Sequence, residues 1–399
     1  MQWVRAGRWD VVSASVGWDV DPVVSGWIGR PALAENVTAD ACVVGLGGSG
    51  LAAVEELRAR GLSVVGLDAG RVAAGAAGRN GGFLLGGGAP ELTWAVAHWG
   101  ADTALALYRR TLAELDRLIE QLGPQVIRRV GSIRLAGLPG DPRDDHEAAD
   151  RARELEDCAQ EMAALEACGI AVEAYDGDLG RGLFLPQNAV TNPARRALGL
   201  AELALAAGAR LYERSPVRSV SAGVVTTDHG AVRAGVVIVA VDGRLEVLLP
   251  QLAGAVRTAR LQMLATAPGL PARLPCAVYG RWGYDYAQQD STGRILVGGG
   301  RDQFVEQEWT LDSEPSVDVQ TWIEQVAVRM AGRPVDVAHR WAASVGYTAD
   351  GKALCTQVDD GVVACGGYSG TGNLVGPVAA RAAVALALDG TAPAAYFTH

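Results

Sequence analysis

Apolar and polar positions follow two rhythms along this chain. Near the start, two continuous apolar runs, 41–45 (ACVVG) and 63–68 (SVVGLD), flank a helical pattern from about 49 to 60 that stops at Gly61. Unbroken apolar runs of this length fit strands buried on both faces, and glycine after the last periodic residue ends a helix. The strand–helix–strand stretch has the length of one βαβ unit, roughly 30 residues. Farther on, residues 101–122 place Leu105, Tyr108, Leu112, Leu115, Leu118 and Ile119 on one helical face, and 144–168 repeat the pattern with Leu155, Cys158, Met162 and Leu165. Two core-facing helices are predicted there.

A third block opens with Asn192 as a helix cap and Pro193 at the first helical position. Strands are predicted after it at 210–213, 217–220, 224–227 and 236–241, antiparallel strands with turns over 256–300, and finally a strand at 361–365 and a helix at 375–388. No internal repeat is visible. Residues 1–37 carry Trp3, Trp9, Trp18 and Trp27 without a period. They read as an arm on the main body, with a disordered leader over 1–15 as the alternative. A strand–helix unit that opens the chain and another that closes it predict an α/β fold (α+β overall). Its dinucleotide-binding, Rossmann-like domain is discontinuous, over 38–92, 186–245 and 340–399. A mixed or antiparallel-sheet substrate domain is inserted as 93–185 and 246–339.

Composition narrows the function classes. At 399 residues and 49% hydrophobic content the chain can bury a large core, and its 51 glycines gather in loops. No apolar run is long enough to span a bilayer, and the start, MQWVRAGRWD, lacks a secretory apolar region. A net charge of −10 without a basic stripe argues against nucleic acid as a partner. Six cysteines without a CxxC pair fit a reduced, cytoplasmic, metal-free protein. Lys352 is the sole lysine, so any lysine chemistry would have to use it.

The segment GLGGSG spaces Gly45, Gly47 and Gly50 as GxGxxG, with Gly48 and Ser49 between. In that pattern the first glycine makes the tight turn, the second admits a pyrophosphate, and the third lets helix and strand pack closely. The helix start then offers free N–H groups to the phosphates. Asp68, 18 residues past Gly50, ends the next strand and suits ribose hydroxyls. Ala69 and Arg71 follow it, Arg71 within reach of an adenine or its ribose, or else an ordinary surface arginine. Val217 joins the expected cofactor contacts. The long run AGRVAAGAAGRNGGFLLGGG after Asp68 suits an extended cofactor better than NAD.

The chain resembles the D-amino-acid-oxidase-like FAD-dependent oxidoreductases, in the branch of gamma-glutamylputrescine oxidoreductase and glycine oxidase. The likeness is carried by the GxGxxG loop and by GAAGRNGG, where Ala77 stands for a serine. It extends to the block from 186 to 213 and to GYSGTG at 367–372 before the closing helix. The resemblance implies FAD. Gly78, Arg79, Asn80, Gly81 and Gly82 would pass beside the isoalloxazine ring, with Arg79 and Asn80 aiming donors at flavin or phosphate. Gly367, Gly370, Thr371, Gly372 and Asn373 would bring backbone N–H groups to the pyrimidine edge. No histidine lies between Asp68 and Gly88, and Val345 stands where some members carry a linking cysteine, so noncovalent FAD is expected.

The implied reaction is hydride transfer from a C–H beside an amine nitrogen to flavin N5, giving an imine that hydrolyses. The substrate is a small amine or amino acid, and the electron acceptor is O2 or another oxidant. Leu296 stands where oxidases of the family place a lysine, which leaves a dehydrogenase open. Tyr284, Tyr286 and Gln288 alternate with Asp285 and Ala287 along one predicted strand. The aromatic pair fits an amine-binding cage and equally a packed sheet face. Arg281 and Arg301 are candidate carboxylate clamps, and Trp341, Tyr347 and Tyr368 candidate walls. His98, His146, His229, His339 and His399 read as structural or surface residues. An NAD(P)H-dependent flavin monooxygenase is an alternative, though a second glycine fingerprint and a GD motif before the final helix are missing. A nonenzymatic flavin-binding protein is another, hinted at by the unusual AVDGR at 240–244.

Overall fold

The computed structural model describes residues 15–398. Trp3, Trp9 and His399 lie outside the described residues. One sheet of nine strands runs in the order Phe397–Thr398, Ala353–Asp359, Val362–Gly366, Ala231–Val239, Val37–Val44, Val64–Leu67, Arg210–Tyr212. The hairpin Val217–Ser221 and Val224–Thr227 joins it beside Ala231–Val239. From Val362–Gly366 to Arg210–Tyr212 every pairing is parallel. Residues 41–44 and 237–239 and the strands Val64–Leu67 and Val362–Gly366 are buried on both faces, which is why their sequences are unbroken apolar runs. The helices Gly48–Ala59 and Val375–Asp389 pack together on one side of this sheet.

Val37–Val44 begins four residues before the predicted start at 41. Its first half alternates exposed and buried side chains as it pairs with Val232 to Ala234, so Thr38 and Asp40 hide it from an apolar-run reading. Ala231–Val239 is extended toward its start for the same reason. The predicted helices appear as Ala101–Leu122, Asp145–Ala167, Pro193–Ala206 and Val375–Asp389.

A second sheet of eight strands runs in the order Val337–Tyr347, Arg257–Thr266, Ile295–Gly298, Asp285–Gln289, Ala277–Gly280, Ser132–Leu135, Gly180–Leu185, Glu173–Gly177. It is antiparallel except where Ala277–Gly280 lies parallel to Ser132–Leu135. The expected boundary at 340 cuts through Val337–Tyr347, which pairs along its whole length with Arg257–Thr266. Divided by sheets, the chain changes sides after Tyr347. A small third sheet pairs Phe83–Leu84 and Ile127–Arg128 with Ala189–Thr191, and so pins the end of the GAAGRNGGF segment. The arm residue Trp18 is buried, and its indole donates to the carbonyl of Asn80 at 2.8 Å. No helix among the described residues is long and apolar enough to cross a membrane.

Candidate active site

The GLGGSG segment turns sharply after Val44. Gly45 has φ +94°, and a Cβ on Gly50 would stand 1.7 Å from the Gly45 carbonyl oxygen. Gly47 caps the helix Gly48–Ala59 in extended conformation, and no side chain accepts from the first-turn N–H groups. An uncapped helix start presents donors and the positive end of the helix dipole to whatever lies before it. Ser49 is buried against Gly376 of the closing helix. Asp68 sits at the rim of the turn, accepting the N–H groups of Leu46 and Gly70, both at 2.8 Å. Burial pushes its carboxyl above the usual range, against those two hydrogen bonds. Ala69 is exposed, and Arg71, a third exposed, pairs with Asp19 of the arm at 2.6 Å. Val217 lies two residues past Ser215, whose N–H donates to the Asp68 carbonyl at 2.8 Å.

The GAAGRNGGF segment makes one helical turn, Ala76–Arg79. Two of its glycines exclude a side chain: a Cβ on Gly78 would lie 2.1 Å from the Ala73 carbonyl oxygen, and one on Gly82 2.1 Å from that of Thr191. Arg79 donates to the Ala342 carbonyl at 3.0 Å, its Nε has no partner, and burial holds its pKa down. Asn80 departs from expectation. Its amide exchanges two hydrogen bonds with that of Asn373, at 3.1 and 3.0 Å, and also accepts from the Gly82 N–H at 2.7 Å. The second amide hydrogen of Asn80 goes to the Ala76 carbonyl at 2.9 Å, so in this structure the side chain ties the early loop to the late one with both donors engaged.

Arg196, which the sequence reading passed over, completes that tie. It lies in the first turn of Pro193–Ala206, is 1% exposed, and donates to the backbone oxygen of Asn373 at 2.7 Å and its side-chain oxygen at 3.0 Å. A terminal nitrogen stands 2.9 Å from where a Cβ on Gly48 would be. Burial lowers its pKa to about 10, with only the more distant Glu114 favouring its charge. The NPARR run contains it, and a cation one turn after a capped start on a buried helix was the available signal.

The late loop, with Gly367 at φ +64° and Gly370 at φ +92°, is held by Asp242. The Asp242 carboxylate accepts N–H from Tyr368 at 2.9 Å and Gly346 at 3.2 Å, and burial raises its pKa to about 6. The odd AVDGR run thus anchors the loop before the closing helix. Thr371 caps the turn by donating to the Tyr368 carbonyl at 2.8 Å, and Gly372 packs on the Tyr368 ring. The closing helix also starts without a capping side chain.

A cavity of about 650 Å³ opens in front of these loops. Arg79, Asn80, Gly81, Gly370, Thr371 and Asn373 line one wall, and Tyr284, Tyr286, Tyr279, Arg301 and Tyr347 another. Tyr286 reaches Gly81, whose Cβ would sit 2.9 Å from the ring, and meets Phe83 edge-on at 5.7 Å. Gln288 shares that strand face and donates to the carbonyls of Gly81 and Thr191. The two candidate clamps separate. Arg301 lines the cavity with its guanidinium over the rings of Tyr347 (4.2 Å) and Trp309 (4.4 Å). Arg281 instead pairs with the fully buried Asp285 at 2.6 Å and with Asp302, over the Trp322 ring, and does not line the cavity. Of the three expected walls only Tyr347 lines the cavity. Trp341 is buried behind the loop, donating to the Arg79 carbonyl at 2.7 Å, and Tyr368 is buried against Gly372 and Gly376. Val345 lines the cavity, whereas Leu296 is buried away from it. The sequence reading also missed Glu91, Arg134 and Glu161 on the far wall. Arg134 sits in a fully buried strand, and a charge inside such a run marks a site.

A parallel sheet whose glycine loop, early loop and late loop converge beside a second, largely antiparallel sheet is the architecture of a dinucleotide-dependent oxidoreductase. The chain belongs to the DAO family of FAD-dependent oxidoreductases, whose model matches residues 40–386. It is 27% identical over 379 residues to the probable oxidoreductase OrdL of Rhizobium meliloti (strain 1021), covering 90% of this chain and 85% of that protein. With the gamma-glutamylputrescine oxidoreductase of Escherichia coli (strain K12) it shares 26% over 360 residues, 85% of this chain and 81% of the other. Among solved structures, glycine oxidase from Geobacillus kaustophilus has the same fold with a TM-score of 0.67 at 21% identity, covering 90% of this chain and 96% of that one. L-proline dehydrogenase from P. horikoshii superposes with a TM-score of 0.68 at 16% identity, over 90% of this chain and 95% of that one.

Proposed function

We propose that this FAD-dependent oxidoreductase oxidises a C–N bond of a small amine or amino acid, in the cavity between the two sheets. The observation that carries this is the cavity's makeup: two glycine-rich loops form one wall and the aromatic face of Asp285–Gln289 another. The residues fit FAD on their own chemistry. A helix start without a cap, a buried guanidinium without an adjacent carboxylate, and loops where a Cβ at Gly50, Gly78 or Gly82 would strike backbone form a donor-rich cradle for a flat, phosphate-bearing group. Gly45, Gly47, Gly48, Gly50 and Asp68 would hold the nucleotide half, and Gly78 to Gly82 with Gly370 to Asn373 the ring. When bound, FAD supplies hydride acceptance.

The chain supplies position and shelter from water. Tyr284 and Tyr286 present ring faces to an amine, Tyr347 and Arg301 close one end, and Arg301 is free to accept a carboxylate. In domain terms, the nine-stranded sheet forms the FAD-binding part and the eight-stranded sheet the substrate part. Cytoplasmic residence fits the six free cysteines.

Among the described residues, none lining the cavity is a histidine, cysteine or lysine. This favours noncovalent FAD. Acid precipitation is expected to release the yellow chromophore into the supernatant; colour held in the pellet would reverse this reading. The reaction class is tested by anaerobic mixing with a panel of amines and D- and L-amino acids. Substrates are expected to bleach the flavin absorbance. Bleaching by NADPH alone would favour the monooxygenase, and no bleaching by any compound a nonenzymatic flavoprotein.

A further inference from the structure

The far wall of the cavity holds a charge that the proposed chemistry does not use. Arg134 lies in the strand Ser132–Leu135, beside Tyr279 in the neighbouring strand, and is 3% exposed. Its guanidinium touches one carboxylate, Glu91, at 2.5 Å. None of its three nitrogens makes a hydrogen bond of good geometry. Glu161, also on this wall, is already committed. It accepts the N–H groups of Leu92 and Thr93 at 2.8 and 2.9 Å and the Thr93 hydroxyl at 2.8 Å, and so starts the helix Leu92–Trp99. Glu91 is one-third exposed, and burial with the nearby Glu161 and Asp157 carboxylates raises its pKa to about 7. A buried guanidinium has up to five N–H donors to satisfy, and since Arg134 and Glu91 both line the cavity, a partner from that side reaches the nitrogens where Glu91 gives way.

The place of Arg134 along the cavity decides what that partner is. From Gly81 the wall passes to Tyr286, then to Phe83 at 5.7 Å, then to Tyr279 at 6.4 Å, and Arg134 comes next. Two further aromatic rings thus separate it from the ring that touches the loop. It cannot hold a group attached directly to the oxidised carbon, but it can hold the other end of a longer molecule. A planar, singly charged oxyanion matches the guanidinium fork. A doubly charged phosphate would be opposed by Glu91 and Glu161.

We propose that Arg134 binds a carboxylate at the remote end of the substrate, so that the enzyme selects amines carrying a carboxylate several carbons from the oxidised C–N bond. Glu91 is the displaceable counter-ion that keeps the site charge-balanced when no substrate is present. The proposal rests on amine oxidation in this cavity. Arg134 is a specificity residue and does not touch the reacting atoms.

Three five-carbon probes differing only at the remote end test it on the FAD-loaded enzyme: 5-aminopentanoate, pentylamine and 1,5-diaminopentane. Binding is read anaerobically by calorimetry and oxidation by KM and kcat. The expected result is 5-aminopentanoate binding about 10- to 100-fold tighter than pentylamine, the range of one charge-assisted bidentate contact. Arg134→Gln should remove that preference through KM, with pentylamine binding and FAD content unchanged, and Arg134→Lys should restore part of it. Tightest binding of the diamine, or equal binding of all three, overturns the proposal. If Arg134→Gln does not fold, the half-buried Glu91→Gln serves: the carboxylate preference should persist or grow, and its loss would count against the site. Carboxylate-selective binding without oxidation of any probe would refute amine oxidation while leaving the subsite standing.

Discussion

Gly50→Ala is expected to yield protein that has lost FAD. The added Cβ falls 1.7 Å from the Gly45 carbonyl oxygen and 2.9 Å from its carbon, both backbone atoms that cannot swing aside. The strand end and the helix start must separate, and the N–H groups of the first helical turn lose their common aim. Overpacking of this kind costs about 1–3 kcal/mol or more, so FAD affinity should fall by roughly 10- to 100-fold or beyond. Gly75→Ala is the matched control. Gly75 opens the GAAGRNGGF segment, yet a Cβ there meets nothing within 4 Å and its φ is −89°. The ratio of flavin to protein absorbance after purification, with FAD titration of the apoprotein, reads both variants. Full FAD content in Gly50→Ala would mean that the phosphates are held elsewhere.

Arg196→Leu should separate the stability of the apoprotein from that of the holoenzyme. Burial lowers the Arg196 pKa from the usual guanidinium range to about 10, so its charged form is disfavoured in the fold. For a base the sign is clear. The penalty is fully present below about pH 10 and fades only as pH rises past that value toward the ordinary guanidinium pKa. Its size is on the order of 3 kcal/mol. In the apoprotein the cation is therefore a cost, offset in part by its two hydrogen bonds to Asn373. A bound dinucleotide brings negative charge to the neighbouring helix start and relieves it. Leucine removes the cost and the attraction together. The apoprotein melting temperature should hold or rise, while the increase caused by FAD shrinks and FAD affinity drops about 10- to 100-fold. Equal losses of melting temperature with and without FAD would reduce Arg196 to a bolt between loops.

The elements that sequence made legible are those whose signals are local. The GxGxxG spacing, the Asn192 cap with Pro193, and the closing helix each follow from a few adjacent residues. Asn192 accepts from the N–H groups of Ala194 and Arg195, as a cap should. Side-chain roles were less legible because they depend on partners distant in the chain. Arg281 and Arg301 look alike in sequence, but Asp285 and Asp302 claim the first and only ring faces approach the second. Arg71 is claimed by Asp19 of the arm, and Asn80 by Asn373. The second sheet was readable in its antiparallel half. The insertion of Ser132–Leu135 beside Ala277–Gly280, which carries Arg134 to the cavity, has no local signature.

The wall proposed to hold FAD joins Gly45 to Gly50, Ala76 to Gly82, Arg196 and Asn373. Synthesis between Gly50 and Asn373 takes on the order of tens of seconds. During that interval the nascent chain has its first glycine loop but no late loop to face it. The second half of the strand Ala231–Val239, from Val237 on, also waits with one edge bare until Val362–Gly366 is made to pair with it, since Val224–Thr227 covers only its start. An unpaired edge in an apolar parallel sheet is a template for the wrong partner. The protein therefore depends on its own last segment, and then on FAD, to close a gap left open through most of its time on the ribosome.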